Sequence, residues 1–252
     1  MSSNLAILVY THSEYSFLWE IMITLLQRYV HDVDIHWLYD DTCHDSTSKK
    51  IPFNFIRHTY NSDLIWSYRV GACLNNIKNE YILFLHEDWI PIDNINNGIL
   101  NELTSFMKVE KCSFLLSYTH YSVVLNGSYK RIKYKDDVYI FDISSHGHVF
   151  QPAIWDKKTF IEFCKLAKTK NQNEDAECLS FMRTKKCLST GSIDPNLIKS
   201  ITTRSVFFPH MHILSQGLWN FKKYPTLKCL LECFNIDTTT RGVHSWWEID
   251  TH

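Results

Sequence analysis

At 252 residues and 45% hydrophobic content, the chain can bury a sizeable core as one large domain or two small ones, which excludes a disordered protein. A formal net charge of −1 gives no general attraction to nucleic acid or an anionic membrane, although Lys165 to Lys170 is locally basic. No apolar run approaches the roughly 18 to 20 residues of a membrane span, and Met1-Ser2-Ser3-Asn4 lacks the regions of an export signal, so a soluble, cytoplasmic protein with no integral membrane segment is expected.

Leu5 to Tyr10 is a short apolar run closed by Thr11-His12-Ser13. Glu14 to Tyr29 then places Phe17, Ile21, Leu25 and Tyr29 at four-residue spacing. This predicts a strand followed by an amphipathic helix, with Ser13 as its N-cap. Val33 to Tyr39 alternates and stops at Asp40-Asp41, a second strand ending in acids. Ile51 to Ile56 reads as a third strand, and Ser62 to Lys78 as a helix with Leu64, Tyr68 and Leu74 among its apolar positions. Tyr81-Ile82-Leu83-Phe84-Leu85 then runs without a turn into His86-Glu87-Asp88, as suits a strand buried on both faces. Pro91 has no amide to give a ladder and predicts that the chain turns away. Strands alternating with helices predict an α/β fold, a mostly parallel central sheet flanked by helices.

The second half continues with a helix over Asn94 to Val109, a strand at Ser113 to Tyr118 and a solvent-facing hairpin from Lys130 to Asp142. The segment from Ser144 through Gln151-Pro152-Ala153-Ile154-Trp155 leads into a helix, Lys157 to Ala167, and Asn173-Glu174-Asp175 opens another, Ala176 to Arg183. Phe207 to His212 ends a strand, and Trp219, Trp246 and Trp247 read as core packing in preference to sugar stacking. The eight cysteines contain no Cys-x-x-Cys pair and read as reduced, mostly buried thiols. Of the thirteen histidines, only His146-Gly-His148 and His210-Met-His212 are closely spaced.

Ligands of open α/β sheets gather beyond the carboxyl ends of the strands, where Glu87 and Asp88 would stand. Two hard oxygen ligands there suit Mg²⁺ or Mn²⁺ holding a phosphorylated substrate. The alternative is a strand ending in solvated acids.

These segments together resemble glycosyltransferases of the GT-A fold, close to the broad family-2 type. Tyr10-Thr11-His12-Ser13 corresponds to that family's loop near the nucleotide, and Asp40-Asp41-Thr42-Cys43-His44-Asp45 resembles its acidic segment after the second strand. Asn61, Arg69 and Gly71 occupy the stretch that lies near donor phosphates or the base, and His86-Glu87-Asp88 is the counterpart of the Asp-x-Asp motif. The resemblance implies a donor site of Thr11, His12, Asp40, Asp41, Asn61, Arg69, His86, Glu87 and Asp88, with Asp40 or Asp41 reading the base. It also implies a metal on Asp88 and Glu87, with His210 as a further ligand. Residues 1–110 would form the nucleotide-sugar half, and residues 111–252 a smaller acceptor and catalytic-base half, of one domain. Gln151 and Trp155 would lie on the acceptor side, and Asp175 would be the catalytic base with Glu174 and Glu177 as neighbours. The chain departs from the pattern at His86, where the first acid of the motif is expected. A histidine there can still ligate Mn²⁺ or bond a ribose hydroxyl, or the diphosphate charge can fall to Arg69 or other cations.

The implied activity is inverting, metal-dependent transfer of a sugar from a nucleotide-diphosphate donor to a carbohydrate hydroxyl, in a bacterial- or virus-like glycan pathway. Retaining chemistry, a non-catalytic nucleotide- or carbohydrate-binding module, and a metal phosphohydrolase using the same acids are the alternatives. Neither the sugar nor the base can be read from the chain, because specificity depends on loop contacts.

Overall fold

The computed structural model describes residues 4–117, 131–135, 138–144, 152–168, 176–192, 205, 207–215 and 217–243. Its principal strands in chain order are β1 (Leu5–Tyr10), β2 (Asp34–Asp40), β3 (Ile56–Tyr60), β4 (Tyr81–His86), β5 (Trp89–Pro91), β6 (Phe114–Leu116), β7 (Arg131–Lys135), β8 (Val138–Asp142), β9 (Ala153–Asp156), β10 (Cys187–Ser192) and β11 (His210–His212). The helices are α1 (Trp19–Tyr29), α2 (Asp45–Ser48), α3 (Trp66–Asn76), α4 (Asn97–Glu110), α5 (Lys157–Leu166), α6 (Ala176–Arg183) and α7 (Leu227–Cys233).

One nine-stranded sheet runs β3-β2-β1-β4-β9-β6-β10-β8-β7, and only β8 and β9 run against the rest. The expected mostly parallel α/β architecture is therefore present. From β1 the chain proceeds outward through β2 and β3, then returns to lay β4 on the other side of β1. This reversal opens a crevice beyond the carboxyl ends of β1 and β4.

The continuous apolar runs have their physical reason in this layering. Leu5, Ile7 and Val9 face a cluster that includes Ile21, Met22 and Leu26 of α1 and Leu100, Leu103 and Met107 of α4. Ala6, Leu8 and Tyr10 face the other cluster, with Val70 and Leu74 of α3 and Phe160 and Phe163 of α5. Each buried aliphatic side chain contributes about 1.5–3 kcal/mol, and a polar residue on either face of β1 would forfeit it.

Several elements differ from the sequence pattern. Ser13–Leu18 is a 3₁₀ turn, so α1 begins only at Trp19. His12 caps that turn, its Nδ1 accepting from the Glu14 amide at 3.2 Å, because Ser13 is engaged elsewhere: its amide donates to Asp40 and its hydroxyl pairs with Thr42. β3 lies five residues later than expected. Pro52 cannot extend a ladder, and the Phe55 amide instead closes a turn onto the Pro52 carbonyl, with Ile51 and Phe55 buried as anchors. α3 buries Trp66, Val70, Cys73 and Leu74, while Leu64 and Tyr68 are 43% and 66% exposed. Pro91 does not turn the chain away: Trp89–Pro91 pairs antiparallel with β11, where Pro91 opposes His210 at the end of the ladder.

Candidate functional site

The parallel register puts Tyr10 opposite His86, so the residues after β1 and those after β4 meet in the crevice. The imidazole of His86 is enclosed by Tyr10, Phe84 and Trp89 at ring separations of 5.6, 5.2 and 4.8 Å. Burial lowers its pKa to about 4, so the ring is neutral, and Nε2 has no hydrogen-bond partner among the described residues. The Glu87 carboxyl is buried and accepts from the His12 amide. Burial, reinforced by the neighbouring Asp88 charge, pushes its pKa well above the ordinary carboxylate value. Asp88 points the other way: its Oδ2 lies 3.2 Å from His212 Nε2, and its backbone carbonyl accepts from the Ile213 amide at 2.8 Å.

His212, and not His210, is therefore the histidine that meets the acid. Both project from the same face of β11, but the ladder places His212 opposite Trp89, next to Asp88, and His210 opposite Pro91. His210 is buried with Nδ1 2.7 Å from the Phe208 carbonyl, its ring stacked on Phe208, and burial lowers its pKa to about 4. The alternation His210-Met211-His212 was the available signal, and it could not choose between the two rings.

The other residues expected at the donor mostly brace loops. Thr11 is fully buried and its hydroxyl donates to the Leu38 carbonyl. Asp40 is buried, with Oδ1 accepting from the amide and hydroxyl of Thr42 and Oδ2 from the Ser13 amide. Burial alone would raise its pKa, but hydrogen bonds from Thr42 and Ser13 outweigh it and hold the group below its ordinary value. Asp41 accepts from the Ser62 amide at 3.1 Å, and Asn61 closes a turn by accepting from the Asp63 amide at 2.8 Å. The Arg69 guanidinium lies over the Tyr60 ring and donates to the Leu64 and Ser62 carbonyls and the Tyr10 hydroxyl. Asn61 and Arg69 also line a cavity of about 400 Å³ between β3 and α3 that does not reach His86, Glu87 or Asp88. The structure thus brings together His12, His86, Glu87 and Asp88, and sets Asp41, Asn61 and Arg69 apart as the frame of the loop after β3.

On the acceptor side, Trp155 is a correction. It is 2% exposed, stacked on Phe160 at 4.4 Å and packed on Phe114 and Phe163, so it fills the core and presents no surface to a sugar. Its place on β9, paired with both β4 and β6, turns it into the layer under α5. Glu177 is exposed on α6, and both its oxygens contact Lys168 Nζ, at 2.9 and 3.1 Å. Gln151, Glu174, Asp175, Trp246 and Trp247 lie outside the described residues.

No protein-family model matches the chain, and no curated protein sequence does. Solved structures do match. A cytidylyltransferase from Leptospira borgpetersenii serovar Hardjo-bovis aligns over 94% of this chain and 91% of its own, with a TM-score of 0.51 and 10% identity. A CMP:2-keto-3-deoxy-manno-octonic acid synthetase complexed with CTP aligns over 92% and 98%, with a TM-score of 0.47 and 10% identity. The S. aureus TarS 1-349 structure aligns over 79% of this chain at a TM-score of 0.43 and 13% identity, and the chain spans 63% of that fragment. At these identities the likeness is one of fold.

The donor set at β4 fits a metal only in part. Asp88 and His212 offer one oxygen and one nitrogen ligand, while Glu87 is turned into the protein toward the His12 amide. Among the described residues no group of three or more His, Cys, Asp or Glu is placed to hold an ion. That is no preformed cage, but it suits Mg²⁺ or Mn²⁺ completed by substrate phosphates and water. Among the described residues, too, no helix is long and apolar enough to cross a membrane.

Proposed function

We propose that the chain transfers a sugar from a nucleotide-diphosphate donor to a hydroxyl of a carbohydrate acceptor, with inversion. The observation that carries this reading is the Asp88–His212 pair at 3.2 Å, set at the carboxyl end of β4 where the strand order reverses beside β1. Asp88 and His212 would hold a divalent ion, which neutralises the leaving diphosphate when bound. His86, kept neutral by burial, stands where the motif resembled would have an acid, so the formal charge beside the donor falls to Asp88. The acceptor oxygen attacks the anomeric carbon, its proton passes to a carboxylate, and the bond from that carbon to the diphosphate oxygen breaks. The motif assigns the carboxylate to Asp175.

A second reading, nucleotidyl transfer, is favoured by the fold likeness to the cytidylyltransferase. Against it stands the segment after β1: Thr11 to Leu18 contains no glycine, lysine or arginine, the residues that usually cradle a triphosphate. Turnover separates the two. With a panel of nucleotide sugars and Mn²⁺, glycosyl transfer releases nucleoside diphosphate, whereas nucleotidyl transfer consumes a nucleoside triphosphate and releases pyrophosphate. Asp88→Ala should abolish the diphosphate release and His212→Ala should lower it by at least about tenfold, from loss of a charged or metal-bonding contact. Release that survives Asp88→Ala, or pyrophosphate in its place, overturns the proposal.

A further inference from the structure

β3 is the outer strand of the nine-stranded sheet and pairs with β2 alone. The Tyr60 carbonyl accepts from the Asp41 amide, so it faces β2. Backbone groups alternate along a strand, which turns those of Ile56 and His58 the same way and those of Arg57 and Thr59 outward. Arg57 and Thr59 are exposed, and their backbone groups have no partner among the described residues. The Arg57 guanidinium, which could have screened the edge, is drawn back onto the Ile51 carbonyl.

Around this open edge the chain shows apolar surface. Phe53 is 99% exposed, Tyr68 66%, and Ile56 and Leu64 43% each, whereas elsewhere among the described residues only Val109 and Val243 are exposed large hydrophobics. Leu64, Tyr68 and Ala72 repeat at four-residue spacing into α3 and, with His58 and Tyr60, line the cavity of about 400 Å³. An unpaired ladder thus lies beside an apolar groove.

We infer that β3 pairs antiparallel with β3 of a second copy, across a two-fold axis at His58, so that two sheets become one. The strand's own sequence selects this occupant. With the axis at His58, Arg57 of each copy faces Thr59 of the other, and the two exchange both hydrogen bonds. On the groove side Ile56 meets Tyr60, a β-branched and aromatic pair of the kind that stabilises sheets. An axis one residue earlier would set arginine against arginine, and like charges directly opposite are destabilising. The His58 rings that meet at the axis are uncharged at neutral pH, because burial lowers their pKa. A formal net charge of −1 gives two copies little mutual repulsion. An aromatic side chain buries about 150–250 Å², so Phe53 and Tyr68 alone supply a large share of the about 800 Å² that each partner of a standard interface covers. The pairing is independent of the donor site.

Sedimentation velocity of the full chain over a wide range of concentration tests it. The wild type is expected to pass from the chain mass to twice that mass. Thr59→Pro removes an outward N–H and no bond of the chain's own ladder, and Tyr68→Glu puts a charge into the apolar contact. Each should raise the dissociation constant at least about tenfold, while Val109→Glu on α4 should leave it unchanged. Facing residues at a non-hydrogen-bonded position stand about 4.5 Å apart at Cα, within disulfide reach. His58→Cys, with the exposed Cys229 and Cys233 changed to serine, should therefore give a covalent dimer on oxidation, and Arg57→Cys in that background should not. A wild type that stays monomeric overturns the proposal, as does a dimer that both Thr59→Pro and Tyr68→Glu leave intact. A covalent dimer from Arg57→Cys in preference to His58→Cys overturns it too. Unfolding curves like the wild type's for Tyr68→Glu, a surface change, show that loss of the dimer is not loss of the fold.

Discussion

Glu87 and Asp88 are adjacent acids that the chain sends to opposite fates. One enters the protein, accepts the His12 amide and favours its protonated form; the other meets His212 at the surface of the crevice. A glutamic acid whose folded pKa is raised binds its proton more tightly in the native state. It therefore destabilises the fold as pH rises from the ordinary carboxylate value toward the native one. Glu87→Gln, an isostere of the protonated form, should melt higher than wild type at pH 7 in EDTA, and the gap should close as pH falls toward 4. An equal or lower melting point at pH 7 would show that the carboxyl is ionised and paired. His36 has the opposite sign. It is buried on β2 with Nδ1 2.8 Å from His58 Nε2, and burial lowers its pKa to about 4. The neutral ring's contribution is present above the unfolded value of about 6.5 and is lost as pH falls through 4. Denaturant melts of His36→Gln should therefore lose less stability than wild type between pH 6.5 and 4.

Among the elements, β1 and β4 were legible because strands covered on both faces are apolar along their length, a pattern that survives without knowledge of the partners, and β2 was legible from its alternation up to Asp40. α3 was legible as a helix but not in its facing: Leu64 and Tyr68 repeat at helical spacing, and only packing on α5 decides that Trp66, Val70 and Cys73 point inward. The site was legible to the same degree. His86-Glu87-Asp88 follows from the strand that carries it, whereas His212 requires the β5–β11 register, a pairing that no local pattern encodes. Trp155 misled because an aromatic after a Gln-Pro turn fits a sugar platform and a core layer equally well. Truncating it should act through packing: Trp155→Ala is expected to cost about 3–5 kcal/mol in urea unfolding. At the end of α4, Lys111 adopts a left-handed conformation with φ 51°. Lys111→Gly removes that strain and should raise stability by about 0.5–1 kcal/mol in the same assay; a loss would mean that the lysine side chain itself holds the helix end.

For the whole molecule, the layers divide the thiols. Cys73, Cys112, Cys164, Cys178 and Cys187 are buried, Cys43 is half-buried, and Cys229 and Cys233 are exposed on α7. Burial drives the Cys73, Cys112 and Cys187 thiols up to about 12, far from reactive thiolate character. A thiol reagent at pH 8 should therefore modify two cysteines rapidly in the native chain and the buried ones only on unfolding, as counted by intact mass. The bridge between Asp88 and His212 joins residues 124 positions apart. A growing polypeptide exposes the acid long before its histidine has been synthesised. On the proposed function, catalytic competence would arrive as a late event of biosynthesis, once the strand carrying His212 pairs with β5, and a product ending before that strand would be inert even with β1 to β4 intact.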